Sequence, residues 1–357
     1  MKAFDFFASA LFWVGISAVA LQPAYSKAEE APMTRLSTGD DISINANDTN
    51  YFKAFAPEAP EMLARVPKTD PKTGLHISEI KPGLFYVTEG VYQSAFLVTD
   101  DGVIVFDAPP SFAQKLPDAI RQHAPGKAIR YLVYSHGHND HIGGASIFAE
   151  VKGLEILAHE EVAKSLTKST RPGILAPTTT YNEAHQFSLG GETIKLTPAS
   201  FHAEDVDTII YLPKQKFVIA VDTITPGEAP FMNFGATSNP GAYMTFFDTI
   251  LEYDFDNILS GHVSVLGNRE DVIKARDYAF DVRQTAGQAM ATFEERFFAA
   301  FEKFQYQNPN LAYRAAIESV RRDCAEEIIE RWGGELSVVD VWADSHCQTM
   351  ILYNIMH

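Results

Sequence analysis

From Gly83 onward, short apolar runs alternate with breaks rich in glycine, proline and acidic residues. The stretches "LFYVTEG", "VYQSAFLVT" and "GVIVFDAP" have the length and β-branched content of strands. Asp100-Asp101-Gly102 supplies the turn between the last two. The spacing of Phe112, Leu116 and Ile120 predicts a helix, with Ser111 as its cap and Pro117 weakening its middle. "IRYLVYS" is apolar on both faces, as a buried strand requires. A short helix near Ala145 to Val151, the strand "LEILA" and a helix over Glu160 to Lys168 come next. Beyond a Pro/Thr-rich loop, "HQFSL", "TIKLTPA", "DTIIYLP" and "KFVIAVD" read as further strands. A second loop, "TITPGEAPFMNFGATSNPG", leads to a helix around Tyr243 to Glu252 and the strand-like "DNILSGH". Asn268 to about Gly333 reads as helix, with a break at Asn308-Pro309-Asn310, and the last stretch, from Glu335, fits strand and helix equally.

Strands and helices therefore interleave over the first part of the chain, and helices dominate afterwards, which predicts an α/β domain with a helical C-terminal extension. The expected boundaries are a signal peptide at 1–26, a loosely ordered segment at 27–79 that wraps onto the body, the α/β domain at 80–271 and the extension at 272–357. The signal rests on Lys2, the apolar run Phe6 to Leu21 and the small-x-small triplets near Ala24 to Ala28. That run is shorter than the roughly 20 apolar residues of a membrane span. It implies export to the periplasm or the medium, with no stable membrane insertion after cleavage. Export changes the reading of Cys324 and Cys347, the only two cysteines: in an oxidising compartment they are expected to bond. The net charge of −17, with no Lys/Arg cluster, argues against a nucleic-acid partner.

The chemistry concentrates where "IRYLVYS" ends. In "SHGHNDHIGG", His136, His138 and His141 surround Asp140, in a chain with only 11 histidines. In extended backbone, residues two apart point the same way, so His136 and His138 can share one metal ion. Asp140 and His141 follow where the chain turns and can face a second ion, and Gly143 and Gly144 let the backbone turn into the next helix. His202, Asp222 and His262 each stand one step past a later apolar run. Strand-end loops gather on one rim in layered folds. Imidazoles and carboxylates with Asp222 shared between two ions suit two Zn²⁺, although Fe or Mn fits the same donors. His159 and His185 are alternatives to His202 as third ligand. His76, His123, His346 and His357 read as structural histidines.

"HGHNDH" with His202, Asp222 and His262 at widening intervals resembles the metallo-β-lactamase superfamily over about Ile80 to Asp271. The resemblance implies a four-layer αββα sandwich with the site at one edge. It implies one ion on His136, His138 and His202, and another on Asp140, His141 and His262, with Asp222 bridging. A water shared by two ions would be hydroxide near neutral pH. It would attack a carbonyl while one ion stabilises the oxyanion, with Asp140 orienting it or carrying a proton.

The loops Ser169 to Tyr181 and Thr223 to Gly241 would select the substrate, and Phe231, Met232 and Phe234 are candidate contacts for an apolar acyl or ring group. β-Lactamases of the superfamily generally lack an aspartate at the Asp222 position, which turns the expectation toward a small lactone, ester or thioester. A β-lactam is the alternative substrate. A metal-binding exported protein without catalysis is the alternative of another class.

Overall fold

The computed structural model describes residues 60–168, 171–202, 206–304 and 306–357. The expected signal peptide, and the wrapping segment up to residue 59, lie outside the described residues. Among the described residues, no helix is long and apolar enough to cross a membrane.

Two sheets carry the α/β part. The first has seven strands in sequential order, β1 (His76–Lys81), β2 (Leu84–Thr88), β3 (Gln93–Thr99), β4 (Gly102–Phe106), β5 (Ile129–Val133), β6 (Glu155–His159) and β7 (Thr179–Tyr181). It is antiparallel up to β4 and parallel from β4 to β7. The second, five-stranded sheet is built from β8 (His185–Leu189), β9 (Glu192–Ala199), β10 (Asp207–Leu212), β11 (Phe217–Ile219) and β12 (Asn257–Leu259). All of its pairs are antiparallel except β11 with β12.

Alternation along the strands sorts residues into three cores. Leu97, Ile104 and Val133 of the first sheet meet Leu196, Ile210 and Ile219 of the second between the sheets. Their neighbours Phe96, Val105 and Leu132 point the other way, onto Phe112, Leu116 and Phe148. Ile209 and Val218, on the far face of the second sheet, pack against helices α5 (Pro240–Leu251), α6 (Arg269–Met290), α8 (Pro309–Trp332) and α9 (Val339–Met356). The layers are thus helix, sheet, sheet, helix. Helices α1 (Pro60–Arg65), α2 (Leu116–His123), α3 (Asn139–Ile142), α4 (Glu160–Lys168) and α7 (Phe293–Lys303) complete the set used below.

Several local expectations change. Ser111 does not cap a helix, because its hydroxyl donates to Glu89 Oε1 at 2.6 Å. A 3₁₀ turn over Ala113–Lys115 precedes α2, which places Pro117 in the first helical turn, where proline is tolerated. β1 starts inside the expected wrapping segment, and β7 lies inside the Pro/Thr-rich loop. The ambiguous C-terminal stretch is helix α9, tied to α8 by a disulfide between Cys324 and Cys347. A full capping box at Asn268 opens α6: its side chain accepts from backbone N–H groups while Asp271 reaches back.

Candidate metal centre

The dense motif lies just past the end of β5, as the strand gives way to the short turn α3. Gly143 and Gly144 serve a purpose other than a sharp turn, since their φ values are ordinary, −65° and −97°. A Cβ on Gly143 would overlap the Asn139 carbonyl, and one on Gly144 would overlap Ala113. The glycines therefore supply space for the loop to pack down.

Asp222, three residues beyond the end of β11 in left-handed backbone (φ 66°), stands at the middle of the cluster. Its Oδ2 lies 3.2 Å from His136 Nε2, 3.6 Å from His138 Nδ1 and 3.7 Å from His202 Nε2. Its Oδ1 lies 3.0 Å from both His141 Nε2 and His262 Nε2. Asp140 Oδ2 joins the second set, 3.5 Å from His141 Nε2 and 3.4 Å from His262 Nε2. The two oxygens of one carboxylate thus divide the donors into His136, His138, His202 and Asp140, His141, His262, each set close enough to hold one cation. His159 and His185 belong to neither set. His159 Nδ1 accepts from the Glu161 backbone at 3.3 Å, and His185 stacks on Tyr181 at 5.7 Å.

The electrostatics fit a cation. Burial opposes charge on Asp222, but the charge of His141 and the close imidazoles of His136 and His138 outweigh it and hold the carboxyl well below the usual carboxylate range. Burial lowers His136 to about 4, so the ring is neutral with a lone pair to offer. His262 is raised to about 10: burial works against the charge, and Asp140 and Asp222 overcome it. Asp140 is lowered to about 2, since His262 and His141 outweigh its burial. Among the described residues, the buried Nε2 of His136 and Oδ1 of Asp222 have no hydrogen-bond partner. Buried polar atoms are nearly always paired, and a divalent ion would satisfy both of these. This donor set of imidazoles and carboxylates therefore fits a divalent metal.

A supporting shell was beyond the reach of the sequence. His202 Nδ1 meets Asp207 Oδ1 at 2.6 Å, and the His202 backbone N–H donates to Asp207 Oδ2 at 2.9 Å. Such a carboxylate fixes the ring's tautomer and aims its other nitrogen. Ser135 Oγ contacts His136 Nδ1 at 3.0 Å, and the Ser135 backbone N–H donates to the buried Asp107, whose carboxyl burial raises to about 6. Gln93 braces the His262 loop, donating to His262 O at 3.1 Å and Val265 O at 2.9 Å and accepting from Ser260 N. Tyr92 packs on His262 with ring centroids 4.9 Å apart. Of these, only Asp207 had a sequence signal, as one of three acids closely following His202, with nothing to choose among them.

Of the three expected substrate contacts, Phe231 and Met232 are exposed, 50% and 42%. Phe234 is a correction: it is fully buried, stacked on His346 at 4.2 Å, and packs the loop instead of facing a substrate. On the opposite loop, the Arg171 guanidinium donates to the Gly137 carbonyl, between the first two motif histidines.

Comparison with known proteins agrees with this geometry. A family model described as the metallo-beta-lactamase superfamily matches residues 88–278, more than half of the chain. The subunit alpha of a 2,4-dinitroanisole O-demethylase from Nocardioides sp. (strain JS1661) is 27% identical over 209 residues, 57% of this chain and 62% of that protein. A metallo-beta-lactamase type 2 from Elizabethkingia meningoseptica is 24% identical over 187 residues, 51% of this chain and 70% of that one. The chain thus spans under two thirds of the demethylase subunit's length. Among solved structures, a metallo-beta-lactamase from Pontibacter korlensis superposes with a TM-score of 0.50 at 17% identity, covering 57% of this chain and 97% of that one. An inverting sec-alkylsulfatase from Pseudomonas sp. superposes with a TM-score of 0.54 at 16% identity, covering 78% of this chain and 50% of that one. At these identities the likeness to the solved structures concerns the fold.

Proposed function

The chain belongs to the metallo-β-lactamase superfamily, and on that premise we propose that it is a metal-dependent hydrolase, more finely an exported dinuclear zinc enzyme that cleaves a small lactone, ester or thioester. The observation that carries the reading is the division of the surrounding donors by the two oxygens of Asp222. On it, His136, His138 and His202 would hold one ion, Asp140, His141 and His262 the other, and Asp222 both. Bound ions would supply water activated near neutral pH and polarisation of the substrate oxygen.

The chain's own residues do the rest. Asp207 holds His202 in one tautomer, and Gln93 fixes the backbone that presents His262. Asp140 keeps more than a third of its side chain exposed, so one carboxylate oxygen is placed to accept a hydrogen bond from an incoming water and orient it. Phe231 and Met232 offer an apolar surface on the loop that follows Asp222.

A substrate panel on the zinc-loaded mature protein tests the reading. Lactones, esters and thioesters should turn over, and Asp222→Ala should abolish both turnover and metal retention. An Asp222→Ala protein that keeps its full metal content would sink the bridging role. The panel should include a chromogenic cephalosporin, since one relative is described as a β-lactamase, and an activated aryl methyl ether, since another is described as an O-demethylase. Either outranking the lactones would reassign the substrate. A metal-loaded protein that hydrolyses nothing in the panel would make the centre a binding element. Export rests on the run Phe6 to Leu21 and agrees with the disulfide. Mature protein from the exported fraction should begin near residue 27, and a retained N-terminus would overturn it.

A further inference from the structure

Immediately after Met232 the chain makes a turn of the wrong hand. Asn233, Phe234, Gly235 and Ala236 have φ of 54°, 56°, 70° and 61°. Left-handed backbone costs a residue with a Cβ about 1–2 kcal/mol. A run of such residues persists only where its surroundings over-determine it.

The turn forms the wall behind the metal centre. Gly235 O lies 2.9 Å from His202 Nε2. Gly235 also lies so close to Asp222 that a Cβ there would overlap the Asp222 carbonyl oxygen. The turn thus touches the donor common to both sets and one of the histidines beside it.

One face of α9 holds this turn. Trp342, Ser345, His346 and Thr349 follow helical spacing and lie on one side. Trp342 packs edge-on against Phe231, with ring centroids 4.9 Å apart. Ser345 Oγ accepts from the Asn233 backbone N–H at 3.1 Å, and Thr349 Oγ1 donates to Asn233 Oδ1 at 3.3 Å. His346 is central: its Nε2 lies 3.2 Å from Phe231 O, its ring stacks on Phe234, and its Nδ1 takes the Tyr278 hydroxyl at 2.8 Å. Burial lowers His346 to about 4, so the ring is neutral and each nitrogen has one role: Nδ1 accepts from Tyr278 and Nε2–H donates to Phe231. The next residue, Cys347, is disulfide-bonded to α8. Both helices lie beyond residue 278, where the family match ends.

We propose that the C-terminal extension is a positioning element of the metal centre: His346, seconded by Ser345, holds the left-handed turn that sets Asp222 and His202, and so tunes metal affinity. The proposal rests on the metal reading above, and its test separates the two. Wild-type protein is titrated with Zn²⁺ against a chromophoric chelator, and its Co²⁺ form is followed by visible absorption. A wild-type chain that binds no metal overturns both readings.

With binding established, His346→Leu should weaken affinity about tenfold, as loss of an outer-shell support does elsewhere, and should alter the Co²⁺ spectrum. His346→Gln, which can accept from Tyr278 and donate to Phe231, should restore both. Val320→Ala loosens the same helical layer away from the turn; it should lower the unfolding temperature and leave affinity unchanged. Wild-type affinity in His346→Leu, or equal weakening in Val320→Ala, overturns the proposal. If His346→Leu does not fold, Ser345→Ala decides: severalfold weaker binding supports the role, and unchanged binding refutes it.

Discussion

Acidification should loosen the helical layer through one buried ring. His346 is fully buried, and burial lowers it from 6.5 to about 4. Between those values the unfolded chain binds a proton that the folded chain refuses, so stability rises with pH across the window and levels off above it. The contribution is therefore whole above pH 6.5 and is lost as pH falls toward 4. Each tenfold preference for the neutral ring is worth about 1.4 kcal/mol, which makes the full interval about 3 kcal/mol and the part lost between pH 7 and pH 5 about 2 kcal/mol. The assay is urea unfolding at both pH values, in chelator, for wild type and His346→Gln. Chelation puts the metal-centre groups in the same state in both proteins, so their titration cancels in the comparison. Wild type should lose about 2 kcal/mol more than the variant. Equal losses would refute the assignment of His346 as a buried neutral donor.

Asp207→Asn keeps the shape beside His202 but removes the charge that orients the ring, and metal affinity should fall about 10- to 100-fold in a competition titration; unchanged affinity would mean that Asp207 only packs. The disulfide closes a loop with a sequence separation of 23. Cys324→Ala/Cys347→Ala should therefore lose about 3 kcal/mol of stability in urea unfolding, and an unchanged midpoint would show that packing alone secures α9.

Much of the site was legible because its donors are local in sequence. "HGHNDH" brings four donors together within a few residues of backbone. The strands that carry His202, Asp222 and His262 to the same rim announce themselves by apolar runs. The supporting shell was not legible, since nothing in the sequence chooses Asp207 over its acidic neighbours or pairs Gln93 with a loop well over a hundred residues away. Phe234 illustrates the same gap. An aromatic in a loop beside the site suits a substrate contact and a packed anchor equally, and only the proximity of His346 on a distant helix decides for the anchor.

By itself, then, the sequence determined which side chains gather: the motif histidines and Asp140, with His202, Asp222 and His262 on the same rim. These follow from residue type and from periodicity over a few residues. The tertiary structure decided how those donors are held. It placed an aspartate behind His202, buried an apparent substrate residue, and used the C-terminal helix to sustain a left-handed turn against Asp222. Those outcomes depend on contacts between segments far apart in the chain, whose energies appear only when both partners are in place.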